Sequence, residues 1–320
     1  MWLLKRVNLQ EQEREKYYVD KGGFKMNTVL IVMILAINFA LLLTGYYLLN
    51  AYLYFSSTCM RQEKKKGKAD LETELPPNYE LLWINGAPGK LTGYYRRGSK
   101  NKLVILVHGW MDDAYSRLDD VDFYKNIGFH IFLPDLRAHG KSEGKYMGMG
   151  IADSVDLKEW VNYFKDKLGS HTEIVLDGVS FGAAAVLHME PAFLNENVTA
   201  IVSDSSYESL IPMFRKMIHF SPKFMAGIYL YGIRFFCRML GKFDIKQNSI
   251  EENMRQIAIP VLLIGGALDK LVPVDTQHRL QAACQGSCSL WIEEQASHAK
   301  AAYVNREAYN NTLSSFLCMD

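Results

Sequence analysis

Ser180 lies at the centre of a Gly-x-Ser-x-Gly pattern that spans residues 178–182. A β-branched apolar run, 173–177, precedes the pattern, and a run of helix-forming residues, 183–189, follows it. A strand, a sharp turn with Ser at its apex and then a helix form a nucleophile elbow, in which the strained turn exposes the hydroxyl. The helix N-terminus beneath the turn favours developing negative charge. The motif alone is common by chance, but its context favours a nucleophilic serine.

A serine hydroxyl is a weak nucleophile unless a base takes its proton, and that base needs an acid to orient it. We therefore expect an acid and a His on loops at the C-terminal ends of strands. Asp269 follows the apolar run 261–265, and His298 follows the run 290–293. The chain order Ser, Asp, His is that of the nucleophile-elbow enzymes.

Other residues could fill these roles. Asp204 competes with Asp269 because it also follows a strand-like run, 201–203. The remaining histidines considered lack the required chain order or sit inside predicted helices, so a structural or surface role is the favoured interpretation; they are His108, His139, His188, His219 and His278.

Apolar runs and helix-forming stretches alternate after residue 79. The predicted strands are 79–85, 91–96, 103–108, 129–134, 173–177, 198–203, 260–265 and 289–293. The predicted helices are 119–127, 151–168, 181–190, 274–284 and 301–317. This alternation predicts an α/β fold with a mostly parallel eight-stranded sheet, helices on both faces and an antiparallel hairpin at one edge.

The alternation breaks between residues 206 and 256, where Met and aromatic residues dominate. These residues predict a helical insert. About half of them are expected simply to pack against the sheet, and the insert could also form a lid over an apolar acyl pocket.

From about residue 79 to its end, the chain resembles the α/β-hydrolase superfamily, in particular membrane-anchored bacterial members close to the serine aminopeptidase and lysophospholipase groups. The resemblance rests on five motifs in the right order over some 240 residues. These are Val-His-Gly-Trp at 107–110, the run 134–142, the elbow 178–182, the loop 265–273 and the pair 297–298.

The resemblance implies that Ser180 is the nucleophile, His298 the general base and Asp269 the orienting acid, and its loop pattern favours Asp269 over Asp204. It places an oxyanion hole at the backbone N–H groups of Phe181 and Trp110. The sequence His-Gly-Trp-Met, in place of the His-Gly-Gly-Gly of some lipases, implies a two-donor hole. Asp135 is interpreted as a structural loop residue, and the resemblance implies neither a metal nor an organic cofactor.

Composition narrows the remaining function classes. The chain has 320 residues with 36 basic and 35 acidic side chains, a net charge of +1, which argues against nucleic acid as a partner. Cys284 and Cys288 lack a second Cys or His pair at metal-ligand spacing, so a zinc site is not expected, and free thiols are favoured over a disulfide.

Residues 28–55 contain no charged side chain and exceed the roughly 20 residues that cross a bilayer. Four tyrosines near the end of this run and basic residues after it favour an uncleaved single-pass anchor at 26–56 that contacts membrane lipids, over a cleaved signal peptide. A charged, basic linker, 57–78, would connect the anchor to the hydrolase-like domain, 79–320.

Residues 1–25 are either a translated leader or a short N-terminal tail. The first interpretation arises because Lys21-Gly22-Gly23 is what a purine-rich ribosome-binding stretch would encode shortly before a start at Met26. A start at Met26 would place the domain in the cytosol by the positive-inside rule, whereas a start at Met1 nearly balances the flanking charges. The side of the membrane stays open.

These features predict a membrane-anchored serine hydrolase acting on carboxylic ester or thioester bonds of small apolar acyl substrates. Two alternatives remain. One is a peptidase on the same residues, for which Glu208, Glu251 and Glu252 could hold a substrate amine. The other is a non-catalytic binding protein with a hydrolase-like fold.

Overall fold

The computed structural model describes residues 28–36, 38, 39, 43, 46, 78–217, 226–246 and 249–317. The chain divides into two compact units, Met1–Leu48 and Leu49–Asp320. In the first unit the described residues are helical, and Leu35 and Phe39 are exposed. No helix within the described ranges is long and apolar enough to span a bilayer. Most of the predicted anchor 26–56, the tail 1–25 and all of the linker 57–78 but its last residue lie outside those ranges.

The second unit contains one eight-stranded sheet. Its strands are β1 Glu80–Gly86, β2 Gly89–Arg96, β3 Lys102–Val107, β4 His130–Asp135, β5 Glu173–Val179, β6 Ala200–Asp204, β7 Val261–Gly266 and β8 Cys288–Glu293. Their spatial order is β1-β2-β4-β3-β5-β6-β7-β8. β2 is antiparallel to both β1 and β4, and the pairs from β4 to β8 are parallel. The predicted sheet and its edge hairpin are therefore confirmed, with strand ends shifted by one or two residues.

The helices are α1 Leu118–Asn126, α2 Ile151–Leu168, α3 Phe181–Leu187, α4 Pro191–Asn197, α5 Leu210–Met217, α6 Ala226–Phe236, α7 Ile250–Met254, α8 Val274–Ala283, α9 Ala301–Val304 and α10 Arg306–Leu317. A short 3-10 turn, Ala114–Arg117, precedes α1, and a π-type turn, Cys237–Gly241, continues α6.

Two predicted helices were too long. α3 ends at Leu187 rather than at residue 190, because Pro191 begins a separate helix that the sequence analysis missed. The predicted final helix breaks at Asn305, whose backbone is non-helical and whose side chain accepts a hydrogen bond from Ala308 N at 3.1 Å. Asn is a favoured N-cap residue, so Asn305 starts α10 as a new helix.

The core lies on both faces of the sheet, as the apolar strands require. Along β3, Leu103 and Ile105 pack with α2 and α3 on one face, whereas Val104 and Leu106 pack with α1 and α10 on the other. All four side chains are fully buried. Burial on both faces explains why the central strands lack polar alternation.

A buried ion pair joins the strand that precedes Ser180 to the end of β3. Arg117 Nη2 lies 2.9 Å from Asp177 Oδ1, and Arg117 Nη1 donates to the carbonyl of Val107 at 3.2 Å. The hydroxyl of Tyr124 donates to Asp177 Oδ2 at 2.7 Å. Arg117 and Asp177 are both buried, and Arg117 Nε also lies 2.8 Å from Asp120 Oδ2. Arg117 is thus the cation that compensates the buried Asp177 carboxylate.

We predict that Arg117→Met lowers the free energy of unfolding by about 3–5 kcal/mol, because it leaves the Asp177 carboxylate buried without its cation. The matched control is Arg255→Met, which removes an exposed i,i+4 pair with Glu251 and should cost about 0–1 kcal/mol. Urea unfolding of the full chain in detergent, followed by tryptophan fluorescence, measures both. An equal decrease in the free energy of unfolding in the two variants would show that the buried pair contributes no more than the exposed one, and would contradict this prediction.

Candidate active site

Ser180 occupies a strained turn between β5 and α3. Its φ is 55° and its ψ is −114°, a conformation that few non-glycine residues adopt. A methyl group on Gly178 would lie 2.5 Å from the carbonyl of Gly182, and one on Gly182 would lie 2.5 Å from the carbonyl oxygens of Val107 and His108. Both positions therefore require glycine, which explains the Gly-x-Ser-x-Gly pattern in steric terms.

A continuous chain of hydrogen bonds runs from Ser180 through His298 to Asp269. Ser180 Oγ lies 2.8 Å from His298 Nε2, and His298 Nδ1 lies 2.7 Å from Asp269 Oδ2. Asp269 Oδ1 accepts from the backbone N–H groups of Leu271 and Val272, both at 2.8 Å. These bonds orient the carboxylate toward the imidazole. The structure thus brings together three side chains from the ends of β5, β7 and β8.

Asp204, the competing acid, bonds to a serine and not to His298. Its Oδ1 accepts from Ser205 Oγ at 2.7 Å, and Ser205 Oγ accepts from the N–H of Ala299 at 3.2 Å. Burial raises the pKa of Asp204 to about 6. Asp204 therefore supports the loop that carries His298 through Ser205, instead of orienting the imidazole. Sequence reasoning missed Ser205, which sits in a Ser-Asp-Ser-Ser run without a distinguishing motif.

The two backbone groups predicted to form an oxyanion hole belong to segments next to Ser180. Phe181 is the first residue of α3, so its N–H lies at the helix N-terminus. Trp110 follows Gly109, and a methyl group on Gly109 would lie 3.5 Å from Ser180 Cβ. The Trp110 and Phe181 rings pack with centroids 6.0 Å apart.

His108 and Asp135 hold the loops around this region. The N–H of Leu136 donates to His108 Nε2 at 3.0 Å, so the proton lies on Nδ1, which is 2.8 Å from the carbonyl of Gly109. Asp135 accepts from the N–H groups of Ala114 at 3.0 Å and Lys141 at 2.8 Å. These contacts link the loops after β3 and β4 and agree with a structural role for both residues.

Three of the other candidate histidines lie in different parts of the fold. His139 Nδ1 is 2.8 Å from the carbonyl of Arg137, in the loop after β4. His188 is buried at the end of α3, and desolvation lowers its pKa to about 4, which keeps it neutral. His278 is exposed on α8, and His219 lies outside the described residues.

An apolar cluster includes Phe181, the residue that follows Ser180. It contains Phe181 beside Met147, Met149, Phe214 and Phe243, and the rings of Trp110 and Tyr207 pack against it. The hydroxyl of Tyr207 donates to the carbonyl of Met149. Residues of the predicted helical insert thus form an apolar wall next to Phe181.

The three acidic residues considered for a substrate amine all have partners. Glu208 lies 2.7 Å from Arg279, and Glu251 lies 2.6 Å from Arg255. Glu252 accepts from the N–H of Ser249 at 2.9 Å in a capping box. None of these contacts presents an acidic group to Ser180.

A family model described as alpha/beta hydrolase fold matches residues 102–244. An uncharacterized protein of Bacillus subtilis, YqkD, is 25% identical over 214 residues, covering 67% of this chain and 70% of that protein. The Escherichia coli protein YfhR is 23% identical over 200 residues, covering 62% of this chain and 63% of its own length. The solved structure of the Pyrococcus furiosus esterase Pf2001 is 24% identical with a TM-score of 0.60, covering 75% of this chain and 91% of that one.

We predict that Gly182→Ala lowers the free energy of unfolding by about 1–3 kcal/mol, because the added methyl collides with backbone carbonyl groups at the end of β3. The control is Gly227→Ala on α6. Apart from its chain neighbours and the backbone of its own helix, no atom of the described residues lies within 4 Å of this added methyl. That change should stabilise the protein by about 0.5–1 kcal/mol through helix propensity. Denaturant unfolding of both variants tests this prediction, and a neutral Gly182→Ala would contradict the close approach of α3 to β3.

Proposed function

Because the chain belongs to the α/β-hydrolase superfamily, we propose that it is a serine hydrolase that cleaves carboxylic ester or thioester bonds of acyl substrates. The observation that carries this proposal is the hydrogen-bonded series Ser180, His298, Asp269 at the strand ends. The esterase function of the similar Pyrococcus furiosus protein supports ester chemistry here.

In the proposed reaction, Ser180 Oγ attacks the acyl carbonyl while His298 Nε2 takes the hydroxyl proton. His298 then gives that proton to the leaving alcohol or thiol, and an acyl-enzyme forms on Ser180. A water molecule, deprotonated by the same imidazole, attacks the acyl-enzyme and releases the carboxylic acid. Asp269 keeps the Nδ1–H tautomer in place and stabilises the imidazolium.

Two backbone N–H groups would stabilise the negative charge that develops on the carbonyl oxygen. The candidates are the N–H of Phe181, at the start of α3, and that of Trp110, which follows Gly109 in the loop after β3. The close approach of Gly109 to Ser180 supports the choice of Trp110. Each such donor typically contributes about 10²–10³ in rate, because it is already oriented before the charge forms.

The apolar wall around Phe181 supports an apolar acyl group as substrate. The pairing of Glu208 with Arg279 and of Glu251 with Arg255 leaves those carboxylates less suited to hold the amine of a peptide substrate. The hydrogen bonds among Ser180, His298 and Asp269 support catalysis over a binding role that would not need them. The uncharged run 28–55 supports the further proposal that a single-pass segment holds the enzyme at a bilayer.

We predict that Ser180→Ala lowers kcat for p-nitrophenyl acyl esters by about 10⁴–10⁶ and abolishes labelling by a fluorophosphonate probe. The wild-type protein should turn over these esters much faster than aminoacyl p-nitroanilides. An unchanged circular dichroism spectrum is the control for folding. Labelling that persists in the variant would remove Ser180 from its proposed role, and faster anilide turnover would favour a peptidase.

A pair of matched substitutions tests which carboxylate acts with His298. Asp269→Asn should lower kcat by about 10⁴, because the amide favours the wrong imidazole tautomer. Asp204→Asn is expected to lower kcat by no more than about tenfold, since Asp204 contacts Ser205 and not the imidazole. Steady-state kinetics on the same ester measures both variants. The reverse ranking would assign the orienting role to Asp204.

A further inference from the structure

In the part of the chain that the structure describes, the outward side of α6 and its π-type continuation is apolar and exposed. Tyr231, Phe235 and Met239 follow one another at intervals of four residues and are 71%, 52% and 44% exposed. This spacing places them along one side of the helix. The opposite side, with Leu230, Ile233 and Phe236, packs on the apolar cluster that includes Phe181. We call the Tyr231–Phe235–Met239 side the outer face of α6.

A surface helix of a soluble domain usually presents polar side chains to water. Single exposed apolar residues are normal, but a continuous apolar stripe marks a contact surface. The outer face of α6 has this stripe even though the helix already buries its inner side. It is therefore suited to a partner that accepts apolar and aromatic side chains.

The charges around the outer face are mainly basic. Arg238 and Lys242 are exposed beside Met239. The acidic side chain of this region, Asp244, accepts two hydrogen bonds from Arg234 at 2.6 and 2.7 Å, and Arg238 Nε lies 3.8 Å from the same carboxylate. The bonds from Arg234 lower the pKa of Asp244 to about 2. Asp244 thus pairs with Arg234 and Arg238, and Lys242 adds a third cation to this segment. The resulting excess of positive charge favours an anionic partner.

We propose that the outer face of α6 docks on the surface of an anionic lipid bilayer. Tyr231, Phe235 and Met239 enter the interfacial region, and Arg238 and Lys242 bind lipid phosphates. Aromatic and apolar side chains bordered by Lys and Arg are the composition of helices that lie in a membrane interface. This inference is independent of the catalytic roles proposed above.

Loops at the Ser180 end of the sheet expose a similar mixture. Met111, next to Trp110, and Leu268 and Leu271, on either side of Asp269, are exposed. Lys270, which lies between the two leucines in the sequence, is exposed, as is Lys300.

Site-specific tryptophan quenching tests the docking. Phe235→Trp places a probe on the outer face, and His171→Trp places one on an exposed residue before β5, at the opposite end of the sheet. The full-length variants are reconstituted into vesicles with 30% phosphatidylglycerol, with and without acyl-chain-brominated lipid. Quenching beyond that of the unsubstituted protein should be at least twofold greater for the probe at position 235 than for the probe at position 171. Equal quenching at both positions would overturn the proposal.

Charge variants test the anionic requirement in the Phe235→Trp background. The double variant Arg238→Gln/Lys242→Gln should reduce the quenching due to the tryptophan at position 235 at least twofold. Replacing phosphatidylglycerol by phosphatidylcholine should have the same effect. Arg97→Gln/Lys100→Gln, at the opposite end of the sheet, should leave it unchanged. Equal quenching in neutral vesicles would overturn the role of the two cations.

A concentration-dependent change in the fluorescence of the Phe235→Trp variant in detergent, without vesicles, would assign the face to a second copy of the chain and overturn lipid docking. Fluorophosphonate labelling of each variant is measured in parallel. Its loss reports on the proposed catalysis, whereas quenching reports on docking, so the two failures remain distinguishable.

Discussion

The close approach of α3 to the end of β3 is the constraint on which the geometry of the site depends. Gly182 leaves room for the carbonyl oxygens of Val107 and His108, and this contact fixes where the turn at Ser180 must lie. The N–H of Ser180 also donates to the carbonyl of Asp204 at 2.8 Å, which joins the turn to the end of β6. The turn is thus held from both neighbouring strands, and the strained backbone at Ser180 persists because its surroundings determine it.

Hydrogen bonding and burial distinguish two aspartates that occupy similar positions in the sequence. Asp204 and Asp269 both follow parallel strands, but only Asp269 has an orientation set by two backbone N–H groups and directed at His298. Asp204 is buried with a raised pKa, and its hydrogen bond to Ser205 supports Ala299. The site therefore contains one acid in contact with the imidazole and another that stabilises the loop carrying it.

The sequence was sufficient for the strands and for the three candidate catalytic residues. Apolar runs predicted the eight strands. Chain order and the family resemblance selected Ser180, Asp269 and His298, which the structure brings into hydrogen-bond contact. The sequence did not reveal the pairing of Arg117 with Asp177 or the role of Ser205, because both arise from contacts between distant segments. The helix break at Asn305 was also missed, since its side-chain cap interrupts an otherwise helical pattern.

The hydrogen bonds that position Ser180, His298 and Asp269 come from loops after β5, β7 and β8, whereas α5 and α6 contribute apolar packing beside them. Under the proposed function, the reacting groups and the residues that select the substrate would lie in separate parts of the polypeptide. Substitutions within the helices between β6 and β7 would then alter the apolar wall beside Phe181 without changing the residues that hold Ser180, His298 and Asp269 in contact. Such a division of labour would let the specificity of the protein diverge over evolution without loss of its reactive centre.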